Sequence, residues 1–218
     1  MSSLKESLSN EDLIFFGKIN ASISHELKNV LAIISETAGL LNDLTEIAAR
    51  GDEVDLQMIN TCSKDIVEEI QRGFSTIKQM NTFSHSVDDP VTEVNLNKLL
   101  ELMINLAAFL SYAGKVHFDP LQPTGLTIIT CPSRLQNLIY QTLVFAFESV
   151  GPKGEIKVSL HPQDNSMARI TFSGLGSKAV REFPVDQTIQ IARSISTEIV
   201  VAGDAGVIEI MVPQSLEH

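Results

Sequence analysis

The chain has 218 residues, 44% of them hydrophobic and 20% charged, a balance ordinary for a globular protein of one or two domains. Its formal net charge of -11 argues against a nucleic-acid partner, because a polyanion would be repelled. No apolar run approaches the roughly 18–20 residues of a membrane span and the opening Met-Ser-Ser-Leu-Lys-Glu is not a signal peptide, so no membrane association and a cytoplasmic location are expected.

In chain order, a first long helix is predicted from about Ser9 to Ala49, with Ser9 or Asn10 as cap and Glu11 and Asp12 in its first turn. Phe16, Ile23, Leu27, Val30, Ile34, Leu41 and Leu44 recur at three- and four-residue spacing and make one apolar face. At about 100° per residue, His25 lies roughly 160–200° from Ile23 and Leu27 and points away from that face. Asn29 follows one turn on, with Lys18, Ser22, Ala32 and Glu36 along the same strip. Arg50-Gly51-Asp52 is a stop and turn. A second helix is predicted from about Asp55 to Ser84, its stripe being Ile59, Cys62, Ile66, Ile70, Ile77 and Met80, with Phe74 near the seam. Two such helices form an antiparallel hairpin that leaves half of each stripe uncovered, so a homodimeric four-helix bundle is expected.

His85 to Pro90 is polar, ends in a helix breaker and is expected to link two domains, 1–86 and 91–215. Beyond it, an apolar helix is predicted from Asn95 to Tyr112, short strands at Lys115–Asp119 and Leu126–Cys131, and a helix from Pro132 to Val150. Strands at Glu155–His161 and Met167–Phe172, a Gly-rich turn, a helix near Val185–Ser196 and strands at Glu198–Ala202 and Val207–Val212 complete it. The fold class expected is α+β: the helical hairpin, then an α/β sandwich with one mixed sheet covered by helices on one face. Cys62 and Cys131 each sit on an apolar pattern and are expected to be buried free thiols in a reducing compartment. Residues 216–218 are set aside as the start of an expression tag.

A lone surface histidine is usually only a solvated side chain. A His-Glu pair on a helix also fits the zinc-protease pattern, but that needs a second histidine where this chain has Asn29. The neighbourhood of His25 points elsewhere. Ser24-His25-Glu26-Leu27-Lys28-Asn29 closely resembles the H-box of two-component sensor histidine kinases. The resemblance implies that His25 accepts a phosphoryl group, that Glu26 orients the imidazole and helps deprotonate it, and that Asn29 helps hydrolyse a partner's phosphoaspartate. Val30 replaces the proline that often follows in that family, which removes a kink and leaves the chemistry alone. The hairpin and the order of elements in the second half resemble the same family's dimerisation and ATP-binding domains.

The departures are in the second half. Aligning Arg134–Ser149 with the family's N-box helix puts Gln141 and Phe145 where two asparagines belong, and a benzyl ring offers no oxygen to magnesium. In Ser173-Gly174-Leu175-Gly176-Ser177-Lys178, Gly174 stands where the family's adenine-reading aspartate would be and Lys178 where its last glycine would be. Only Ala179–Pro184 separates this turn from the next helix, which opens with Val185-Asp186-Gln187-Thr188 in place of a glycine nest. Magnesium ligand, adenine reader, lid and phosphate loop are all missing, so no cofactor is expected on this chain. The expected function is ATP-independent histidine phosphotransfer: His25 passes a phosphoryl group between receiver-domain aspartates, with Mg²⁺ on the receiver. Ser22, Lys28, Ala32 and Glu36 are candidate receiver contacts, and a histidine kinase is a further candidate partner. A non-catalytic scaffold regulating a kinase or response regulator, and an ATP-dependent sensor kinase with a divergent pocket, are the alternatives.

Overall fold

The computed structural model describes residues 10–108, 114–121, 126–151, 153–163, 167–176 and 179–216. They divide into two compact units, one spanning residues 17–84, the other taking residues up to 16 together with those from 85 onward.

The first unit is a helical hairpin of two elements, α1 (Asn10–Ala49) and α2 (Leu56–Ser84). Ile19, Ile23, Val30 and Leu44 of α1 are buried, as are Cys62, Gly73, Thr76 and Phe83 of α2. Gly73 brings the two backbones close, since a Cβ there would lie 3.3 Å from Val30 Cγ1. Each helix keeps a second apolar edge in solvent: Ile33, Leu40 and Ile47 on α1, and Val67, Ile70, Phe74 and Ile77 on α2. The α2 stripe predicted as one seam is thus divided. Cys62 is buried and Ile66 half-buried facing α1, whereas Ile70, Phe74 and Ile77 remain open.

The first two turns of α1 belong instead to the second unit. There the Asp12 carboxylate accepts a hydrogen bond from Asn137 Nδ2 at 3.3 Å, and the Phe15 ring meets Tyr140 at 5.2 Å between centroids. The second unit contains β1 (Thr92–Asn95), α3 (Leu96–Ala108), β2 (Lys115–Asp119), β3 (Thr127–Thr130), α4 (Pro132–Val150), β4 (Glu155–Gln163), β5 (Met167–Ser173), α5 (Asp186–Ser194), β6 (Glu198–Ala202) and β7 (Val207–Pro213). Five strands form a mixed sheet in the order β2-β4-β5-β7-β6, with β2 parallel to β4 and the remaining pairs antiparallel. Period-two alternation buries Ile156, Val158 and Leu160 of β4, Ala168, Ile170 and Phe172 of β5, and Ile208, Ile210 and Val212 of β7 on the face that α3, α4 and α5 cover. The chain is therefore α+β, as the pattern of elements predicted.

The short strand β1 was not anticipated. It pairs antiparallel with β3 in a small separate sheet, and only Val94 of its four residues is buried, too little alternation to be seen in sequence. Asn95 ends this strand and its Oδ1 accepts the Lys98 backbone N–H at 3.1 Å, the cap expected for α3. The far end of that predicted helix, to Tyr112, lies outside the described residues. Leu216, set aside in sequence with a tag, continues the small sheet by donating its N–H to Ile129 O at 3.1 Å; residues 217 and 218 are not described. No helix among the described residues is long and apolar enough to cross a membrane.

Candidate functional site

His25 sits midway along α1 with its side chain exposed, on the side the helical period predicts. Its Nδ1 lies 3.3 Å from Asn29 Nδ2, one turn further on. The two ends of a carboxamide are assigned from their surroundings, and turning the Asn29 amide over presents Oδ1 to the same nitrogen. In that arrangement Nδ1–H donates to Asn29 and Nε2 keeps the lone pair a nucleophile needs. Lys18, Lys28, Ala32 and Glu36 are all exposed.

Two residues of this motif are placed differently from expectation. Ser22, predicted on the exposed strip, is 7% exposed and its Oγ has no hydrogen-bond partner among the described residues. It lies only about 60° around the helix from Ile19, close enough to the inner face to be covered by the hairpin. Glu26, expected to orient the imidazole, turns toward α2, where its Oε1 is 3.0 Å from Arg72 Nε. Arg72 also donates from Nη1 to Glu69 Oε1 at 2.8 Å, and Glu69 Oε2 is buried without a partner. Sequence reasoning did not single out Arg72. The available signal was the antiparallel register set by the short turn, which brings this part of α2 beside the motif, together with Glu69 three residues earlier.

The residues aligned with a nucleotide pocket lie in the second unit and are engaged with one another. Gln141 of α4 donates from Nε2 to Asn137 Oδ1 at 3.0 Å, and its Oε1 accepts from Thr188 Oγ1 of α5 at 2.9 Å. The oxygen that sequence left available on Gln141 is thus already in a hydrogen bond. Phe145 packs its ring on Phe183 with centroids 4.8 Å apart. Phe183 belongs to the short segment after the Gly-rich turn, which makes one 3₁₀ turn over Ala179–Glu182 and buries Val180 as well. Gly174 has φ +88, and a Cβ there would lie 2.8 Å from Glu155 O, so an aspartate side chain does not fit at that position. Leu175 N donates to Gly206 O at 3.1 Å, tying the turn to the loop before β7. Ser177 and Lys178 lie outside the described residues. An oxygen free for magnesium and a carboxylate for adenine are both lacking at the aligned positions, so these residues do not fit a magnesium nucleotide. Among the described residues, no group of three His, Cys, Asp or Glu side chains is arranged to hold a metal ion.

The other three histidines among the described residues have local partners in solvent. His85 Nδ1 meets Asp88 Oδ2 at 2.6 Å, His117 Nε2 meets Glu155 Oε2 at 3.3 Å, and His161 Nε2 meets Ser159 Oγ at 3.2 Å.

Compared with solved structures, the chain is similar over nearly its whole length to one described as a bacterial phosphotransferase: 14% identity, 96% of this chain and 99% of that chain, TM-score 0.50. The catalytic domain of the histidine kinase ThkA matches at 18% identity over 58% of this chain and 99% of its own, TM-score 0.45. The ATP-binding domain of PrrB from Mycobacterium tuberculosis matches at 15% identity over 60% and 100%, TM-score 0.46. No family model and no curated relative matches the sequence. At these identities the likeness is one of fold.

Proposed function

We propose that this chain is a histidine phosphotransferase of a two-component phosphorelay, in which His25 carries a phosphoryl group between receiver-domain aspartates without ATP. The observation that supports it is an exposed imidazole, held at Nδ1 by Asn29, in a chain where Gln141 and Phe145, aligned with the family's nucleotide-binding asparagines, are engaged with Thr188 and Phe183. In the step envisaged, the Nε2 lone pair attacks the phosphorus of a receiver's aspartyl phosphate. The N–P bond forms as the P–O bond to the aspartate breaks, the bonding pair leaves with the carboxylate, and the proton on Nδ1 passes to water. Charge neutralisation at phosphorus comes from the receiver's own Mg²⁺ and basic side chain, and this chain contributes nucleophile, orientation and docking surface.

Lys28, Ala32 and Glu36 are the receiver contacts on this reading, and Ser22, being buried, is not one of them. The open apolar edges of α1 and α2 are the seam of a homodimeric four-helix bundle. The partners are receiver domains and an upstream histidine kinase in the cytoplasm, and neither nucleic acid nor a membrane takes part. A filled nucleotide position also suits a non-catalytic scaffold that binds a receiver or kinase and regulates it. Label chase from a ³²P-phosphorylated receiver separates the two. Uptake by the wild type and none by His25→Ala supports transfer, whereas equal uptake by both, or binding with no uptake by either, ends it. Calorimetry with Mg-ATP tests the other half: low-micromolar binding would overturn the account of the filled pocket.

A further inference from the structure

We propose that Arg72 of α2 is a positioning residue for the phosphoacceptor: it pairs the Glu26 carboxylate at the hairpin seam, so that no unpaired negative charge stands beside the imidazole that Asn29 holds. The proposal rests on the reading of His25 as phosphoacceptor given above.

Glu26 follows His25 directly, and consecutive residues of a helix point about 100° apart and do not face each other. That rotation leaves His25 exposed and turns Glu26 toward α2, where its side chain is 17% exposed. Arg72 meets it there with a planar guanidinium in use on two sides, Nε toward Glu26 at 3.0 Å and Nη1 toward Glu69 at 2.8 Å. Gly73, lacking a side chain beside Val30, lets α2 come close enough for this bridge across the seam. One guanidinium therefore serves two carboxylates, and the second oxygen of Glu69 is buried with no other partner among the described residues.

The consequence for transfer is electrostatic. An incoming aspartyl phosphate is anionic, and an unpaired carboxylate one residue from His25 repels it. An unpaired Glu26 would also leave a negative charge beside the ring that Asn29 holds at Nδ1 and change its electrostatic environment. With Arg72 in place, Glu26 is paired and withdrawn, and Nε2 meets the phosphorus as the N–P bond forms and the P–O bond to aspartate breaks.

The test is a double-mutant cycle in the full chain: wild type, Arg72→Ala, Glu26→Gln, and both together, with Arg72→Gln and Arg72→Lys as further variants. Single-turnover transfer from a ³²P-phosphorylated receiver is followed, and the saturating rate is separated from the receiver concentration at half-saturation. Arg72→Ala is expected to slow the saturating rate on the order of tenfold at unchanged half-saturation. Arg72→Lys, which keeps the charge but not the two-sided fork, should recover part of that loss, and Arg72→Ala should add nothing on the Glu26→Gln background. Wild-type speed in Arg72→Ala, or the same slowing when Glu26 is already Gln, overturns the proposal; the second result means Arg72 acts on the fold or on the partner directly. Where Arg72→Ala fails to fold, the same criteria apply to Arg72→Gln. The ¹⁵N resonances of the His25 ring supply a readout independent of activity: they should move in Arg72→Ala and stay in place in the double variant. A wild type that takes no label defeats the phosphoacceptor reading while leaving this resonance test intact, and unmoved resonances in Arg72→Ala defeat the positioning role even where label is taken up.

Discussion

At Tyr140, burial pushes the phenol up to about 12 from its ordinary 10.0, in a packed position against Phe15. The folded chain thus disfavours the phenolate relative to the unfolded chain. Its contribution is fully present below pH 10 and is lost as pH rises through about 12, a total on the order of 2 kcal/mol. Urea unfolding from pH 9 upward should show Tyr140→Phe losing less stability than the wild type; equal losses would contradict the assignment. Asn29 is testable at the same scale. Asn29→Ala removes the partner of Nδ1, and transfer to His25 should fall about tenfold with receiver half-saturation unchanged. The exposure of His25 and Asn29 could be seen in sequence because helical period alone fixes it. The partner of Glu26 and the burial of Ser22 depend on what a second helix brings to the seam, which only the register set by the short turn would have indicated.

Between elements, the contact of α1 with α2 hinges on Gly73 and Val30. Gly73→Ala puts a methyl 3.3 Å from Val30 Cγ1, a small adjustment offset by the better helix propensity of alanine, and should leave thermal stability nearly unchanged. Gly73→Leu overfills the seam and should cost about 1–3 kcal/mol by urea unfolding. On α4, Phe145→Asn removes the ring that packs on Phe183 and should cost about 2 kcal/mol. Calorimetry should find no ATP binding gained, because Gly174 has no room for a carboxylate and Gln141 remains bonded to Thr188. Both long helices and every strand of the five-stranded sheet were foreshadowed by hydrophobic period. The strand β1 escaped because four residues with one buried side chain carry no period, and the reassignment of Asp12 and Phe15 to the second unit escaped because their partners, Asn137 and Tyr140, are over a hundred positions away.

For the whole molecule, the exposed apolar edge of α2 is the feature with the largest consequence. Val67, Ile70, Phe74 and Ile77 follow one another at three- and four-residue spacing, with Phe74 69% exposed, a seam pattern that a single hairpin leaves in water. Sedimentation should give twice the chain mass for the wild type and a monomer for the Ile70→Glu/Phe74→Glu double variant. A monomeric wild type would remove the four-helix bundle from the proposal. His25 lies on α1 and is untouched by these substitutions, so the loss of label uptake in such a monomer would place part of the receiver surface on the second copy.

The turn at Gly174–Gly176 has a bearing on how relatives of this chain are found. At Gly206, φ is +62 and any β-carbon would overlap the carbonyl oxygen of Leu175, a backbone atom with nowhere to go. At Gly174, φ is +88 and a Cβ would lie 2.8 Å from the Glu155 carbonyl oxygen, also too close. Any chain that folds with these two loops interlocked needs a glycine at both places, whatever else its loops carry. A search keyed to that pair, joined to the His-Glu-x-x-Asn helix, should find chains of this architecture whose other loop residues differ.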